Sequence, residues 1–250
     1  MPVAIIAGTA IYEIPGISLR EEIVETPYGT ALIYRGEREY DDLIFLARHG
    51  IKHDTPPHKV NYRANIKALE ILGVKRVLAA NAVGSINKQI PPLGLALLND
   101  FLDFTSNREK TFFDGGDSGV KHVDMSIPYC PVLNKRLLEL SPSFQLDLYP
   151  NAVYVSTNGP RLESPAEIRM FAQLGGDVVG MTGIPEATLA RELDLCYAAV
   201  AFSVNWAAGI EKTIRFVDAS KGFDSLKSNL LALFIETLKT TSDQECCSQQ

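Results

Sequence analysis

Alternating strand-like and helix-like segments predict an α/β fold, a single domain built on a mostly parallel sheet. Short β-branched and aliphatic runs recur along the 250 residues, with helical spacings between them. Neither an internal repeat nor a linker-rich stretch divides the chain.

Residues 3–7, Val-Ala-Ile-Ile-Ala, form an unbroken apolar run closed by Gly8 and predict a buried strand. Residues 43–47 predict a second strand and 76–80 a third. Residues 95–104, 153–155, 177–179 and 197–204 continue the series. Between the second and third, Val60, Ala64, Ala68, Leu69 and Leu72 keep helical spacing, and Gly73 suits the helix stop. Ser164-Pro165-Ala166-Glu167 has the form of a capping box, with serine as cap, proline first and glutamate third. That helix should run to Gly175-Gly176. Another follows Pro185 through Ala187, Leu189, Ala190 and Leu193, and the last spans about 223–238. The domain is expected over 1–240, with 241–250 a disordered tail.

Hydrophobic residues at 46% and charged residues at 22% suit a globular domain able to bury a full core. The formal net charge of −6 offers no basic surface to nucleic acid or an anionic membrane. An anionic ligand must therefore be held by a local cluster of donors. No apolar run reaches the roughly 18 residues of a membrane span, and the start of the chain lacks a basic flank and cleavage site. The four cysteines, Cys130, Cys196, Cys246 and Cys247, show neither metal-ligand nor framework spacing. They predict reduced thiols in a cytoplasmic protein.

Ligands of open α/β sheets bind beyond the carboxyl ends of the strands. Gly8-Thr9, Arg48-His49-Gly50, Asn81-Ala82 and Thr182 all fall at such ends. Glycine with threonine offers backbone N–H groups and a hydroxyl to an anion, and arginine offers a planar cationic fork. Each alone reads as well as a turn or a surface ion pair; together they predict an anion site at one sheet edge. His53 and His58, in a proline-bearing loop, read as loop polar residues, and no metal site is expected.

These residues belong to longer matches. Arg48-His49-Gly50, residues 56–65 (Pro-Pro-His-Lys-Val-Asn-Tyr-Arg-Ala-Asn) and residues 81–85 (Asn-Ala-Val-Gly-Ser) resemble the methylthioadenosine phosphorylase branch of the trimeric purine nucleoside phosphorylases. So do Gly159-Pro160-Arg161, residues 181–186 (Met-Thr-Gly-Ile-Pro-Glu) and Leu189-Ala190-Arg191-Glu192. The resemblance runs in order over about residues 3–210. It implies a single-domain αβα sandwich with a mixed, mostly parallel sheet, a homotrimer or dimer of trimers, and cleavage of an N-glycosidic bond by inorganic phosphate. No other cofactor is implied. It places phosphate on Thr9, Arg48, His49, the backbone of Ala82, Thr182 and Asn81, the last where relatives often carry threonine. It puts Met181 under the ribose and implies catalytic roles for Asn205, Glu163 and His49. An oxocarbenium-like sugar needs an anion delivered to one face and a stabilised leaving group on the other.

Two positions bear on the base. Glu163 stands where methylthioadenosine phosphorylases carry serine, and Asn205 where adenosine-type enzymes carry aspartate. In both, this chain looks like the 6-oxopurine enzymes, and Ala207, in place of a second aspartate, agrees. An ionised glutamate only accepts hydrogen bonds, so it suits the ring N–H of a 6-oxopurine and repels the bare ring nitrogen of adenine. The blander readings are a carboxylate at a helix start for Glu163 and a turn residue for Asn205. Leu162, Trp206 and Ala207 complete the implied base pocket. No histidine follows His122, whereas inosine phosphorylases use one for the 5′-hydroxyl. The apolar stretches 206–210 and 214–217 suit a 5′-methylthio group instead. His122 and Met125 match a segment that in the methylthio branch crosses a subunit interface, and read equally as loop residues packed at such a contact. The combination is most similar to the 5′-methylthioinosine phosphorylases. Cleavage of inosine or guanosine is the next reading, then of methylthioadenosine.

Ala10 stands where the family usually has glycine, and Val204 replaces a phosphate-contacting threonine. Both leave open a nucleoside-binding protein that has lost catalysis. A nicotinamide-dependent oxidoreductase is disfavoured, because the full glycine fingerprint is missing. Residues 141–150 are shortened relative to the family, which blurs the element ends there. Tyr12 and Glu13 have no assigned role.

Overall fold

A computed structural model describes residues 1–9, 11–217, 223–242, 244 and 246. Strand β1 (Val3–Ala7) lies between β4 (Leu43–Ala47) and β5 (Arg76–Ser85), parallel to both. All five of its residues are buried because both faces of the sheet are covered. Ala4 and Ile6 pack with Ala64 and Ala68 of α1 (Tyr62–Ile71) and Leu189 of α4 (Gly183–Glu192). Val3, Ile5 and Ala7 pack with Leu133 of α2 (Pro131–Leu140) and Leu230 and Phe234 of α5 (Phe223–Thr240). An apolar run without alternation is the mark of such a two-faced strand. Helix layers on both faces make the αβα sandwich.

The remaining strands are β2 (Leu19–Thr26), β3 (Gly29–Gly36), β6 (Leu95–Asp103), β7 (Leu148–Ser156), β8 (Val178–Gly180) and β9 (Cys196–Trp206). The sheet order is β2-β3-β4-β1-β5-β8-β7-β6-β9, and β9 also pairs along β5. Strands β5 to β9 therefore close into a ring. Helix α3 (Pro165–Gln173) packs on this ring through Ile168 and Phe171, against Val155 and Val179. The sheet is mixed, with antiparallel pairings at β2–β3, β3–β4, β5–β8 and β6–β9.

Several boundaries moved. Asn81-Ala82 does not follow a strand but lies inside β5, which continues to Ser85 because β9 pairs beside it. Asn205 likewise lies within β9. β7 starts at Leu148, after a 3₁₀ turn at Ser141–Phe144. Hairpin β2–β3 and helix α2 have no counterpart in the sequence reading. β2 is an edge strand rich in glutamate in which only Val24 is buried, so it carries no apolar alternation for a sequence reading to find. The capping box is formed, with Ser164 Oγ accepting from the Glu167 N–H and the Glu167 carboxylate from the Ser164 N–H.

The cysteines correct the expectation of unpaired thiols. Cys130 and Cys196 form a disulfide across 66 residues of sequence. The Cys130 N–H donates to the Tyr197 carbonyl, which brings the start of α2 against the start of β9. Spacing along the chain carries no trace of that juxtaposition. The disordered tail expected over 241–250 falls largely outside the described residues; of those described, Thr241 and Cys246 are buried. No helix among the described residues is long and apolar enough to cross a membrane.

Candidate active site

Every strand end singled out in the sequence opens on one pocket of about 170 Å³. Thr9, Arg48, His49, Ala82, Leu162, Glu163, Met181, Thr182, Asn205 and Ala207 all line it. Asn81 sits one layer behind, fully buried, with its amide donating to Thr182 Oγ1 at 3.2 Å. Ala10 is outside the described residues.

The anion end is built on Gly8. A Cβ there would lie 2.9 Å from the His49 ring and 3.2 Å from an Arg48 nitrogen, so only glycine lets the loop approach both side chains. His49 Nδ1 lies 2.8 Å from the Thr55 carbonyl and must carry its proton toward it, which leaves Nε2 as an acceptor. Burial, and then the charge of Arg48, lower the His49 pKa to about 4. The ring is neutral at pH 7. Since the same imidazole titrates near 6.5 when exposed, the unfolded chain binds more protons between these values. Stability is therefore fully present above about pH 6.5 and falls as the pH drops toward 4. His49→Gln is expected to flatten that acid limb, read from urea midpoints between pH 7 and 4. Equal slopes in parent and variant would overturn it.

Arg48 is not a freely mobile cation. Its Nε and Nη2 each donate to a Glu186 carboxylate oxygen at 2.7 Å, and both side chains are only 1% exposed. Tyr197 donates to the same carboxylate at 2.8 Å. Nη1 donates weakly to the Ala80 carbonyl, 3.3 Å away, and lies on the Gly8 side. Tyr154 Oη accepts from the N–H groups of both Thr182 and Gly183 at 3.1 Å, so at the start of α4 it is the Thr182 hydroxyl that remains for an anion.

The opposite end depends on a bulge. The β5–β9 register steps from Val83↔Ser203 to Gly84↔Asn205, leaving Val204 as the extra residue of β9. Consecutive strand residues normally face opposite sides; here Val204 and Asn205 both line the pocket. Asn205 Nδ2 donates to the Trp206 carbonyl at 2.8 Å, leaving its second N–H and its oxygen. Thr157 donates to Glu163 Oε1 at 2.7 Å, and the second carboxylate oxygen is open to a ligand. Gly159, at φ +62°, lies so close to the Met181 sulfur that any side chain would overlap it. Val204, Ala207, Ala208, Ile214 and Phe216 make an apolar lining.

Three expected residues are elsewhere. Trp206 follows Asn205 in the strand and does not line the pocket. His122 is exposed and Met125 half-buried, on a segment held outside by Lys121 donating to the Glu192 carbonyl. The sequence reading, in turn, assigned no role to Glu186, Tyr197, Tyr154 or Thr157. Glu186 was visible as an acid in a helix's first turn, a position that usually means only dipole compensation. Arg108 was also missed. It donates to the carbonyls of Thr157, Asn158 and Ile184, tying the Glu163 end of the pocket to the Thr182 end.

The sequence profile of the phosphorylase superfamily matches residues 2–239. A protein of Moorella thermoacetica described as a "Probable 6-oxopurine nucleoside phosphorylase" is 47% identical, covering 99% of this chain and 96% of its own. A "Probable S-methyl-5'-thioinosine phosphorylase" of Methanopyrus kandleri is 48% identical over 86% of this chain and 83% of its own. Among solved structures, methylthioadenosine phosphorylase of Schistosoma mansoni superposes with a TM-score of 0.88 at 26% identity, covering 99% of this chain and 94% of its own.

Proposed function

We propose that this chain, which belongs to the phosphorylase superfamily, is a pentosyltransferase that cleaves 6-oxopurine nucleosides with inorganic phosphate, and that its preferred substrate is 5′-methylthioinosine. The observation that carries the reading is one pocket with anion donors at one end and an acceptor-only carboxylate beside a neutral amide at the other. The 6-oxopurine names of the relatives support the base, and the apolar lining from Val204 to Phe216 supports the methylthio group.

In this reading phosphate is held by Thr9, Thr182, the Ala82 backbone and Arg48 Nη1, with Asn81 orienting the Thr182 hydroxyl. His49 Nε2, being an acceptor, takes a hydrogen bond from the phosphate's own hydroxyl. A phosphate oxygen bonds to C1′ of the sugar while the C1′–N bond breaks, and its electron pair leaves with the purine. Asn205 donates to the base as that charge develops, and Glu163 accepts from the ring N–H. Met181 lies under the ribose and Leu162 against the base. The purine anion then takes one proton from solvent and the sugar phosphate releases one to it, so the products are hypoxanthine and 5-methylthioribose 1-phosphate. The reading needs no metal or organic cofactor, phosphate being the co-substrate.

His122 and Met125 fit a role in a neighbouring subunit's pocket, in a trimer or a dimer of trimers. Val120 and Ile127, in the same segment, are 73% and 57% exposed, which supports an interface there. The cell compartment that fits a salvage reaction is the cytoplasm.

Release of free base should be followed with methylthioinosine, inosine, guanosine and methylthioadenosine, each with and without phosphate. Phosphate-dependent cleavage, fastest with methylthioinosine, is expected. Faster cleavage of methylthioadenosine than of both 6-oxo classes overturns the base assignment. Inosine equal to methylthioinosine overturns only the sugar assignment. Binding without turnover would identify a nucleoside-binding protein instead.

A further inference from the structure

Away from the pocket, the start of α2, the start of β9 and the segment after α5 bring three cysteines together. Cys130, Cys196 and Cys246 place their sulfur atoms within 4.8 Å of one another. Cys246 is 2% exposed, although it belongs to a terminal segment that composition alone marks as solvated. The three side chains border a cavity of about 20 Å³ that Arg191 also lines. That space is enough for about one water-sized body.

We propose that the reduced protein binds one thiophilic divalent cation, of the zinc or cadmium class, on the thiolates of Cys130, Cys196 and Cys246. Four-coordinate zinc holds its sulfurs at about 2.3 Å, which sets neighbouring thiolates about 3.8 Å apart. Cys130 and Cys246 already lie 3.9 Å apart. Cys196 joins them once the Cys130–Cys196 bond is opened. A dithiol reductant does this, giving two protein thiols and its own cyclic disulfide, so that two electrons and two protons are transferred. The cation then displaces three thiol protons. Three thiolates and a dication leave one negative charge, which the positive charge of Arg191, a residue lining the cavity, opposes. The fourth position faces the small cavity and takes water.

The site is independent of the phosphorolysis reading and is tested without an activity assay. The full chain is reduced with dithiothreitol, desalted without oxygen, and titrated with Cd²⁺ while thiolate-to-metal absorption and released protons are followed. The expected reading is one Cd²⁺ and three protons per chain. Cys246→Ser should bind at least tenfold more weakly, since changes even beyond the ligand shell cost about 10–100-fold. Cys247→Ser should match the parent, and the oxidised parent should show no charge-transfer band. Circular dichroism checks that each variant is folded. A reduced parent that binds no Cd²⁺ overturns the proposal. So does Cys246→Ser binding as tightly as the parent, or Cys247→Ser losing as much as Cys246→Ser.

Discussion

Glu186→Ala is expected to destabilise the fold by about 3–5 kcal/mol and to abolish most phosphate-dependent turnover. The carboxylate takes two 2.7 Å hydrogen bonds from Arg48 and a third from Tyr197, in a setting where both ionic side chains are 1% exposed. Burial alone pulls Arg48 toward losing its proton; the charge and hydrogen bonds of Glu186 outweigh it and hold the guanidinium firmly charged. With alanine at 186 the cation stays buried and unpaired. A second variant separates stability from chemistry. Well-packed apolar replacement of a whole buried ion pair is often neutral or stabilising by about 1–4 kcal/mol. Arg48→Met combined with Glu186→Leu should therefore recover the urea midpoint that Glu186→Ala loses, yet keep only a residual turnover with a much raised KM for phosphate. A double variant that turns over like the parent would show that Arg48 does not hold phosphate. The pair is thus read as a device for aiming Arg48 Nη1, kept at some expense of stability.

The parts of the fold that could be read from sequence are those in which one segment's environment is uniform. β1 and β4 are buried on both faces, so their apolar runs are unbroken, and both strands match the sequence reading residue for residue. The capping box was legible because its partners are three residues apart. What was not legible depends on distant contacts. Arg48 and Glu186 are separated by 138 residues, and no periodicity joins them. The bulge that turns both Val204 and Asn205 into the pocket is a mismatch between two strands, invisible in either alone. Cys130 and Cys196 meet because the start of α2 is held against the start of β9, a contact between segments 66 residues apart. The strand ends named in the sequence converge on one pocket even where those ends were misplaced. Asn81 and Asn205 lie inside their strands, but at the carboxyl halves, where this sheet opens. His122 and Met125 were carried over from a family pattern, and a single chain does not bring them to its own pocket.

Exchanging Glu163 for serine together with Asn205 for aspartate is expected to reverse the base preference. The ratio of kcat/KM for methylthioinosine over methylthioadenosine should fall by about 10³-fold, below the ~10⁴–10⁵-fold ceiling for sites built to hydrogen-bond one partner. Glu163 has one oxygen occupied by the Thr157 hydroxyl at 2.7 Å, so the other can only accept. A 6-oxopurine offers it a ring N–H, whereas adenine offers a lone pair and leaves a partly buried carboxylate facing it. Serine can donate to that lone pair, and aspartate at 205 presents only acceptors to an exocyclic amine, whereas asparagine would have to turn its oxygen in place of its N–H toward the base. Neither single change should suffice, because each leaves one edge of the base mismatched and the two residues read the same ring. Thr157→Val supplies the control from outside the base edge. It frees Glu163 to rotate without altering its chemistry, and should lower kcat/KM for both bases while leaving their ratio in favour of the 6-oxopurine. If the double variant keeps the parental ratio while folding normally, discrimination lies elsewhere in the pocket. The apolar lining around Ile214 and Phe216 could then select only for size, and selection for size cannot tell two purines of equal shape apart.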